Sequence, residues 1–410
     1  MHTIDITEPL VHGHADLERT AQGVRIHRLP SWLRRLWPEP RLMAMEQQAA
    51  GVRLVLDTDA RALELTMRSA RAAFPTAQRP RGVLDVVIDG ETVAHDVLTG
   101  GALIINDPFT GETSSSPGPA HTSRIDLPTG THRVELWLPY SEDVLLESLR
   151  AELDSPAADS SSTGARDAGA SDVGTGRPLV RPVAPSGTRW VHHGSSISHG
   201  SNAATPLGTW PVRAARAAGA DLRNLGFGGS AMIDAPVSQV IREAPADIIS
   251  LKLGINVVGG DIMRRRALVP AVHGFLDTIR RGHPNTPIVL ISPLHCGLFE
   301  GVTGPSAVDS QALARGEIRF MATGDPAGTS PGRLDLPAVR EALAEVCAAR
   351  EDPQLHHIDG LDLYGAQDEA ELPLPDALHP GPEAHARIAE RFVERVFADG
   401  GVFAQHGAPA

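Results

Sequence analysis

The spacing of hydrophobic positions changes once along the chain. Up to about residue 153 the apolar residues alternate with polar ones or run in short blocks, at 52–56, 62–67, 83–88, 133–138 and 144–146. Alternation places every second side chain on one face of an extended strand. Turn formers such as Asp89-Gly90 and Thr129-Gly130 lie between or beside these blocks. Short strands punctuated in this way predict an antiparallel β-sandwich over 1–153. No set of side chains suited to catalysis stands out there, and Asp85 and Asp89 read as exposed-face or turn residues.

Residues 154–187 mix Ser, Gly, Ala, Asp and Pro. Such a stretch buries too little apolar surface to offset the entropy of ordering it, so it reads as a flexible linker. From Arg189 strand and helix patterns alternate. Strands are predicted at 189–193, 221–225, 247–253, 287–292 and 354–358, and helices at 211–218, 237–242, 263–281, 336–349 and 382–397. This alternation predicts an α/β domain over 188–400, a parallel sheet of about five strands covered by helices on both faces. Residues 401–410 read as a tail. The Gly- and Pro-rich stretch 297–333 reads as a long excursion over the carboxyl edge of the sheet. No internal repeat is visible.

Composition narrows the partners. Aromatic residues make up 4% of the chain, so the cores must be built from Leu, Val, Ile and Ala. A net charge of −13 argues against nucleic-acid or anionic-membrane partners, which need clustered Lys and Arg. The run Arg264-Arg265-Arg266 reads as a solvated helix face. Two widely separated cysteines, Cys296 and Cys347, do not form a disulfide framework and read as small buried thiols. The first residues lack a basic segment followed by an apolar one, and no stretch is long and apolar enough to span a bilayer. The expected location is the cytoplasm.

Four segments at the predicted carboxyl ends of strands carry the candidate chemistry, at an edge where open α/β sheets bind ligands. They are Gly194-Ser195-Ser196, residues 224–229 ending in Gly228-Gly229, Gly254-Ile255-Asn256, and Asp376-Ala377-Leu378-His379. A serine hydroxyl is a poor nucleophile until a base removes its proton, and histidine titrates near neutrality. The imidazole needs a carboxylate to hold one tautomer, and Asp376 lies three residues before His379. The developing oxyanion needs donors: the Gly229 N–H, the Asn256 amide and the Ser196 N–H are candidates.

These four blocks, in this order, resemble the SGNH/GDSL hydrolase superfamily over about residues 188–400. The resemblance implies a flavodoxin-like three-layer fold. It also implies Ser196 as nucleophile, Asp376 and His379 as the other triad members, and Gly229 and Asn256 as oxyanion-hole partners. Two positions depart from the family pattern. Ser195 replaces the usual Asp beside the nucleophile, and Val257 stands where many members have Asp after the Asn. The two-domain layout is similar to actinobacterial GDSL proteins that include carbohydrate esterases and acyltransferases of natural-product tailoring. The implied activity is hydrolysis of acyl or acetyl esters of small or sugar-like alcohols. Acyl transfer to an alcohol is the alternative, and glycan binding by the sandwich beside an idle esterase domain is a third. No cofactor or metal is implied, and the partner is a small-molecule or carbohydrate ester. The oligomeric state is left open.

Other features have plainer readings. Residues 226–231 match a Gly-x-Gly-x-x-Ala dinucleotide pattern, but Asp247 lies at the wrong end of the next strand to hold a ribose. Adjacent His192 and His193 point to opposite faces of a strand, so they read as structural rather than as metal ligands. His199 either lines the pocket or sits on a solvated loop, and the same two readings stay open for His295. Asp234 and Asp261 read as helix caps, and Trp210 as packing.

Overall fold

The computed structural model describes residues 1–152 and 179–403. The N-terminal domain is a sandwich of two sheets. One has eight strands around the long central strand Ala62–Ala73, and the other has six strands around Arg53–Thr58 and His132–Trp137. Pairing is antiparallel except between Ala62–Ala73 and Ala102–Asn106, which run parallel. Alternating positions fill the core between the sheets: Leu54 and Leu56 from one, Leu63, Leu65 and Met67 from the other, all fully buried.

The C-terminal domain holds a parallel five-stranded sheet. In spatial order its strands are Ala220–Gly226, Thr188–Gly194, Ile248–Lys252, Ile288–Ile291 and Leu355–Ile358. The chain therefore starts inside the sheet, steps outward, then returns past its first strand. That reversal leaves a crevice at the carboxyl ends of Thr188–Gly194 and Ile248–Lys252, the topological switch point. Helices Trp210–Ala218 and Pro382–Val396 pack together on one face, and Ala235–Glu243, Arg265–Arg280 and Leu336–Ala348 cover the other. The strands are buried on both sides, which is why they read as apolar runs without alternation.

Three expectations need correction. Most of the stretch read as linker lies outside the described residues, but its end folds: Val180–Pro182 pairs with Arg53–Thr58 and extends the sandwich. The start of the expected tail is packed, since the Phe403 ring meets Phe397 edge-on at 5.5 Å; residues 404–410 lie outside the described set. Finally, the N-terminal segment contains two short helices, Ser31–Leu36 and Pro40–Glu46, that leave the sandwich. Their Leu33 and Leu42 join the core of the C-terminal domain, together with Leu29 and Trp137. The two domains thus share one continuous apolar cluster.

The smaller readings resolve as follows. Trp210 is buried against Trp190 and Phe392. Asp234 precedes helix Ala235–Glu243 but makes no side-chain cap, and Asp261 pairs with Arg264 and Arg333 instead of capping. The turn after Ala220–Gly226 does not open a helix until residue 235, which removes the helix N-terminus that a dinucleotide site uses. Both cysteines are free thiols, Cys296 buried and Cys347 half-buried. Among the described residues no helix is long and apolar enough to cross a membrane, and no three His, Cys, Asp or Glu side chains converge as metal ligands.

Four of the buried histidines of the C-terminal domain lie deepest. His192 bridges Ser250 Oγ at 2.7 Å and Ser198 Oγ at 2.8 Å. His193 donates from Nδ1 to the Leu225 carbonyl at 2.8 Å and stacks on Phe275. His385 accepts from the Trp210 N–H at 3.2 Å and donates to the Ser201 carbonyl at 3.0 Å. His199 lies beneath the Ser196 turn, so neither reading of it as pocket wall or solvated loop residue holds. Burial lowers all four: His192 well below its ordinary value, His193 and His385 to about 4, His199 to about 3. Each ring is neutral when folded and regains an affinity near 6.5 when unfolded. Their contribution to stability is complete above pH 6.5 and is lost as the pH falls from there toward 4. With all four unfolded rings protonated, the loss approaches about 5 kcal/mol per pH unit. Denaturant melts at successive pH values should show this steep decline, and equal stability at pH 7 and pH 4.5 would contradict it.

Candidate active site

Strand Thr188–Gly194 ends in a tight turn, and Ser196 opens the four-residue helix Ser196–His199. The turn demands glycine at its base: a methyl group on Gly194 would stand 2.3 Å from Ser198 Oγ, and one on Gly226 would stand 2.5 Å from the His199 nitrogen. Ser196 therefore sits on a short arm at the carboxyl edge of the sheet, 9% exposed.

The other predicted residues converge on it. His379 Nε2 lies 2.8 Å from Ser196 Oγ, and His379 Nδ1 lies 2.8 Å from Asp376 Oδ2. The second carboxylate oxygen of Asp376 accepts the backbone N–H of His379 at 2.8 Å and of Leu378 at 3.1 Å. A left-handed Ala377 (φ 65°) turns the chain so that acid and imidazole face each other. Burial pushes the Asp376 carboxyl up, but its bonds to the His379 ring, the charge of that ring and the two N–H groups together bring it down to about 2. A carboxylate that stays ionised holds the proton of His379 on Nδ1 and leaves Nε2 to accept from Ser196. This geometry can take a proton from the serine hydroxyl as it attacks.

The loops that carry the candidate donors Asn256 and Gly229 are joined by a hydrogen bond. Asn256 lies in the first turn of helix Ile255–Gly260, and its Oδ1 accepts the Ala231 N–H at 3.1 Å. That bond fixes the amide orientation and leaves its NH₂ group as a donor. Gly229 adopts φ 69°, a conformation that suits glycine and turns the loop after strand Ala220–Gly226. Neither the Ser196 nor the Gly229 N–H has a protein acceptor among the described residues. The Ser195 hydroxyl is buried and has no partner among the described residues.

Residues outside the four blocks surround these groups. Arg28, from the N-terminal domain, is fully buried. Its guanidinium donates to the carbonyls of Gln48 (2.6 Å), Met45 (2.5 Å), Asn224 (3.0 Å) and Gly226 (2.8 Å), and to His199 Nδ1 at 3.3 Å. His199 must then carry its proton on Nε2, which donates to the Tyr140 carbonyl at 2.7 Å. Burial lowers the Arg28 guanidinium to about 9, so it remains a cation at neutral pH. Met45 and Arg41, from helix Pro40–Glu46, reach the Gly228-Gly229 turn. Phe320, from the 297–333 excursion, sets its ring edge-on to His379 at 5.6 Å and donates its N–H to the Asp376 carbonyl at 2.9 Å. His295 pairs with Glu369 at 2.7 Å, half-buried. Lys252, the only lysine of the chain, is 2% exposed behind the Ser196 turn, where burial lowers it to about 8.

Comparison with known proteins agrees with this layout. Residues 193–387 match the model of the GDSL-like Lipase/Acylhydrolase family. Among solved structures, the salicylyl-acyltransferase SsfX3 from a tetracycline biosynthetic pathway is 25% identical, with TM-score 0.74, over 96% of this chain and 95% of its own. A GDSL-like lipase described as putative from Bacteroides ovatus ATCC 8483 is 19% identical, with TM-score 0.60, over 94% of each chain. A family two carbohydrate esterase from Clostridium thermocellum, in complex with cellohexaose, is 13% identical, with TM-score 0.53, over 94% and 97%. The latter two show the fold, including its two-domain form. No curated protein matches by sequence.

Arg28 provides the direct check on this architecture. Arg28→Met would remove five hydrogen bonds from a buried interface and leave the His199 Nδ1 without its donor, although the Met45 and Gln48 carbonyls keep backbone donors. The expected loss of unfolding free energy is on the order of 3–5 kcal/mol. Chemical denaturation measures it, and a loss below about 1 kcal/mol would mean that the network is not structural in the sense described.

Proposed function

From the GDSL-like lipase/acylhydrolase domain at residues 193–387, we propose that the protein is a serine esterase working through an acyl-enzyme. The observation that carries this reading is the unbroken hydrogen-bonded line Asp376–His379–Ser196, each link 2.8 Å long. Ser196 Oγ attacks the ester carbonyl carbon while its proton passes to His379 Nε2. The negative charge that develops on the carbonyl oxygen meets the N–H groups of Ser196 and Gly229 and the Asn256 amide. Collapse breaks the bond to the leaving alcohol, which takes the proton from His379. Water then repeats the sequence: His379 removes its proton, the acyl–Ser196 bond breaks, and the acid leaves. Asp376 keeps the ring oriented and stabilises its charged form throughout.

A second reading keeps the first half-reaction and replaces water with an alcohol, which gives an acyltransferase. The likeness to the salicylyl-acyltransferase over nearly the whole of both chains favours it. Both readings concern small-molecule or carbohydrate esters. The sandwich would then bound the substrate cleft instead of acting as a separate binding module.

Three variants test the machinery. Ser196→Ala should abolish both turnover of 4-nitrophenyl acetate and labelling by a fluorophosphonate; turnover that survives in this variant would end the proposal. Asp376→Asn should lower kcat by about 10⁴ with little change in KM. Asn256→Ala should lower kcat by on the order of 10²–10³. Product analysis separates the two readings. With an acyl donor and a panel of alcohols in water, free acid alone identifies the esterase, and an ester product formed faster than the acid identifies the transferase.

A further inference from the structure

With Ser196 as nucleophile, every proton of the reaction passes through one atom, His379 Nε2, which lies 2.8 Å from Ser196 Oγ. That nitrogen takes the serine proton and delivers it to the oxygen of the departing alcohol. In transfer, the attacking alcohol gives its proton to the same nitrogen. The alcohol part of the ester therefore lies against the imidazole in both directions, and a side chain that flanks this ring is within reach of it.

Phe320 is such a side chain. Its ring centroid lies 5.6 Å from that of His379, with the two planes at 79°. It opens the second strand of the hairpin Ser306–Val308 and Phe320–Ala322. Side chains alternate along a strand: Ala322 packs against the apolar cluster of the C-terminal domain, and Met321 between them is 43% exposed. Phe320 shares the inward side with Ala322, yet it belongs to neither apolar core and is only half-buried. Phe227, Phe275, Phe299 and Phe392 are buried in that cluster. Aromatics make up only 4% of the chain, and core packing does not account for this one beside the reacting imidazole. Its place is fixed through the backbone. The Phe320 N–H donates to the Asp376 carbonyl, and the Arg319 carbonyl accepts the Asp309 N–H, each at 2.9 Å. Neither bond involves the ring, so the ring can be exchanged without removing them.

We propose that Phe320 selects the alcohol part of the ester, the leaving group in hydrolysis and the acceptor in transfer, and that this alcohol carries a ring with an apolar face next to its hydroxyl. This rests on the acyl-enzyme reading above. Such a face, aromatic or saturated, packs on the Phe320 ring while the hydroxyl oxygen meets His379 Nε2. Three esters of one acyl group read the selection: benzyl, cyclohexylmethyl and 2-methoxyethyl. The first two separate an aromatic ring from a saturated one, and the third has no ring. Comparison of each variant with wild type on the same ester cancels the intrinsic reactivity of that ester.

The wild-type enzyme should favour one or both ring esters over the 2-methoxyethyl ester in kcat/KM by about tenfold, the worth of one ring contact. Phe320→Ala should remove most of that preference, and Phe320→Trp should keep it. Phe320→Leu, which retains bulk over the imidazole, should lower it by about threefold or more. A ring that only braced the Asp376–His379 loop would give another result: Phe320→Ala would slow all three esters equally and shift the acid limb of the kcat/KM pH profile. That result overturns the proposal. So does a wild type that cleaves 4-nitrophenyl acetate without favouring a ring ester, or a preference that survives in both Phe320→Ala and Phe320→Leu. If the wild-type enzyme turns over no ester and Ser196 takes no fluorophosphonate, it is the acyl-enzyme reading that has failed. The ring contact is then read by saturation-transfer NMR with benzyl alcohol and cyclohexanemethanol. Transfer from wild type that is lost in Phe320→Ala upholds the contact. No transfer from wild type, or transfer unchanged in the variant, overturns it.

Discussion

A single buried guanidinium holds the two domains and the Ser196 turn in one arrangement. Arg28 offers its donors in a rigid plane, and the structure supplies acceptors on several sides of it: two carbonyls from its own domain, two from the end of strand Ala220–Gly226, and the ring of His199. A lysine could not address five acceptors at once, since it is a compact point charge with three donors. Burying the cation is costly, which is why burial lowers its proton affinity; the cost is tolerable because the acceptors are already in place. The consequence is mechanical. His199 closes the helix that Ser196 opens, and Arg28 together with the Tyr140 carbonyl fixes both of its ring nitrogens. The sandwich thereby sets the floor beneath the serine.

This arrangement makes the N-terminal domain part of the site and not an appendage. Leu29, Leu33 and Leu42 fill the same apolar cluster as the helices around the parallel sheet, so the domains do not share a wet, separable interface of the kind that permits free relative motion. The cleft around Ser196 then has walls of different origin. Met45 and Arg41 come from the segment between sandwich strands, and Phe320 from the excursion. Such a site can change its substrate by alteration of any wall while the hydrogen-bonded line through His379 stays as it is.

The C-terminal domain was legible because its elements are locally consistent. The five strands and five main helices lie within a few residues of the positions that periodicity predicts, since strands buried on both faces and amphipathic helices each leave a strong local pattern. The convergence of Ser196, Asp376 and His379 was legible through block order, although the blocks are separated by most of the domain. What escaped was long-range. Helices Ser31–Leu36 and Pro40–Glu46 have six and seven residues, too few for a distinct period, and their apolar side chains are explained by a core about 150 residues away in sequence. The roles of Arg28 and Arg41 depend on carbonyls near residue 226 that no local pattern announces. Lys252 is a contrary case, because a lone lysine in an arginine-rich chain is visible in composition before any coordinate is known.

The segments that would set the choice of acceptor also support the reacting groups. The excursion carries the hairpin Ser306–Val308 and Phe320–Ala322. Phe320 packs on the His379 ring and donates its backbone N–H to the Asp376 carbonyl. At its other end the excursion accepts the Thr76 hydroxyl of the sandwich through Leu313. On the proposed acyl-enzyme reading, access of water to Ser196 would depend on this hairpin, which also holds the acid–imidazole loop in place. Under that reading, tuning between hydrolysis and transfer would not be confined to a detachable lid. A change in the hairpin that admitted or excluded water would also move the carboxylate bonded to His379, so selectivity and turnover would be coupled through one strand.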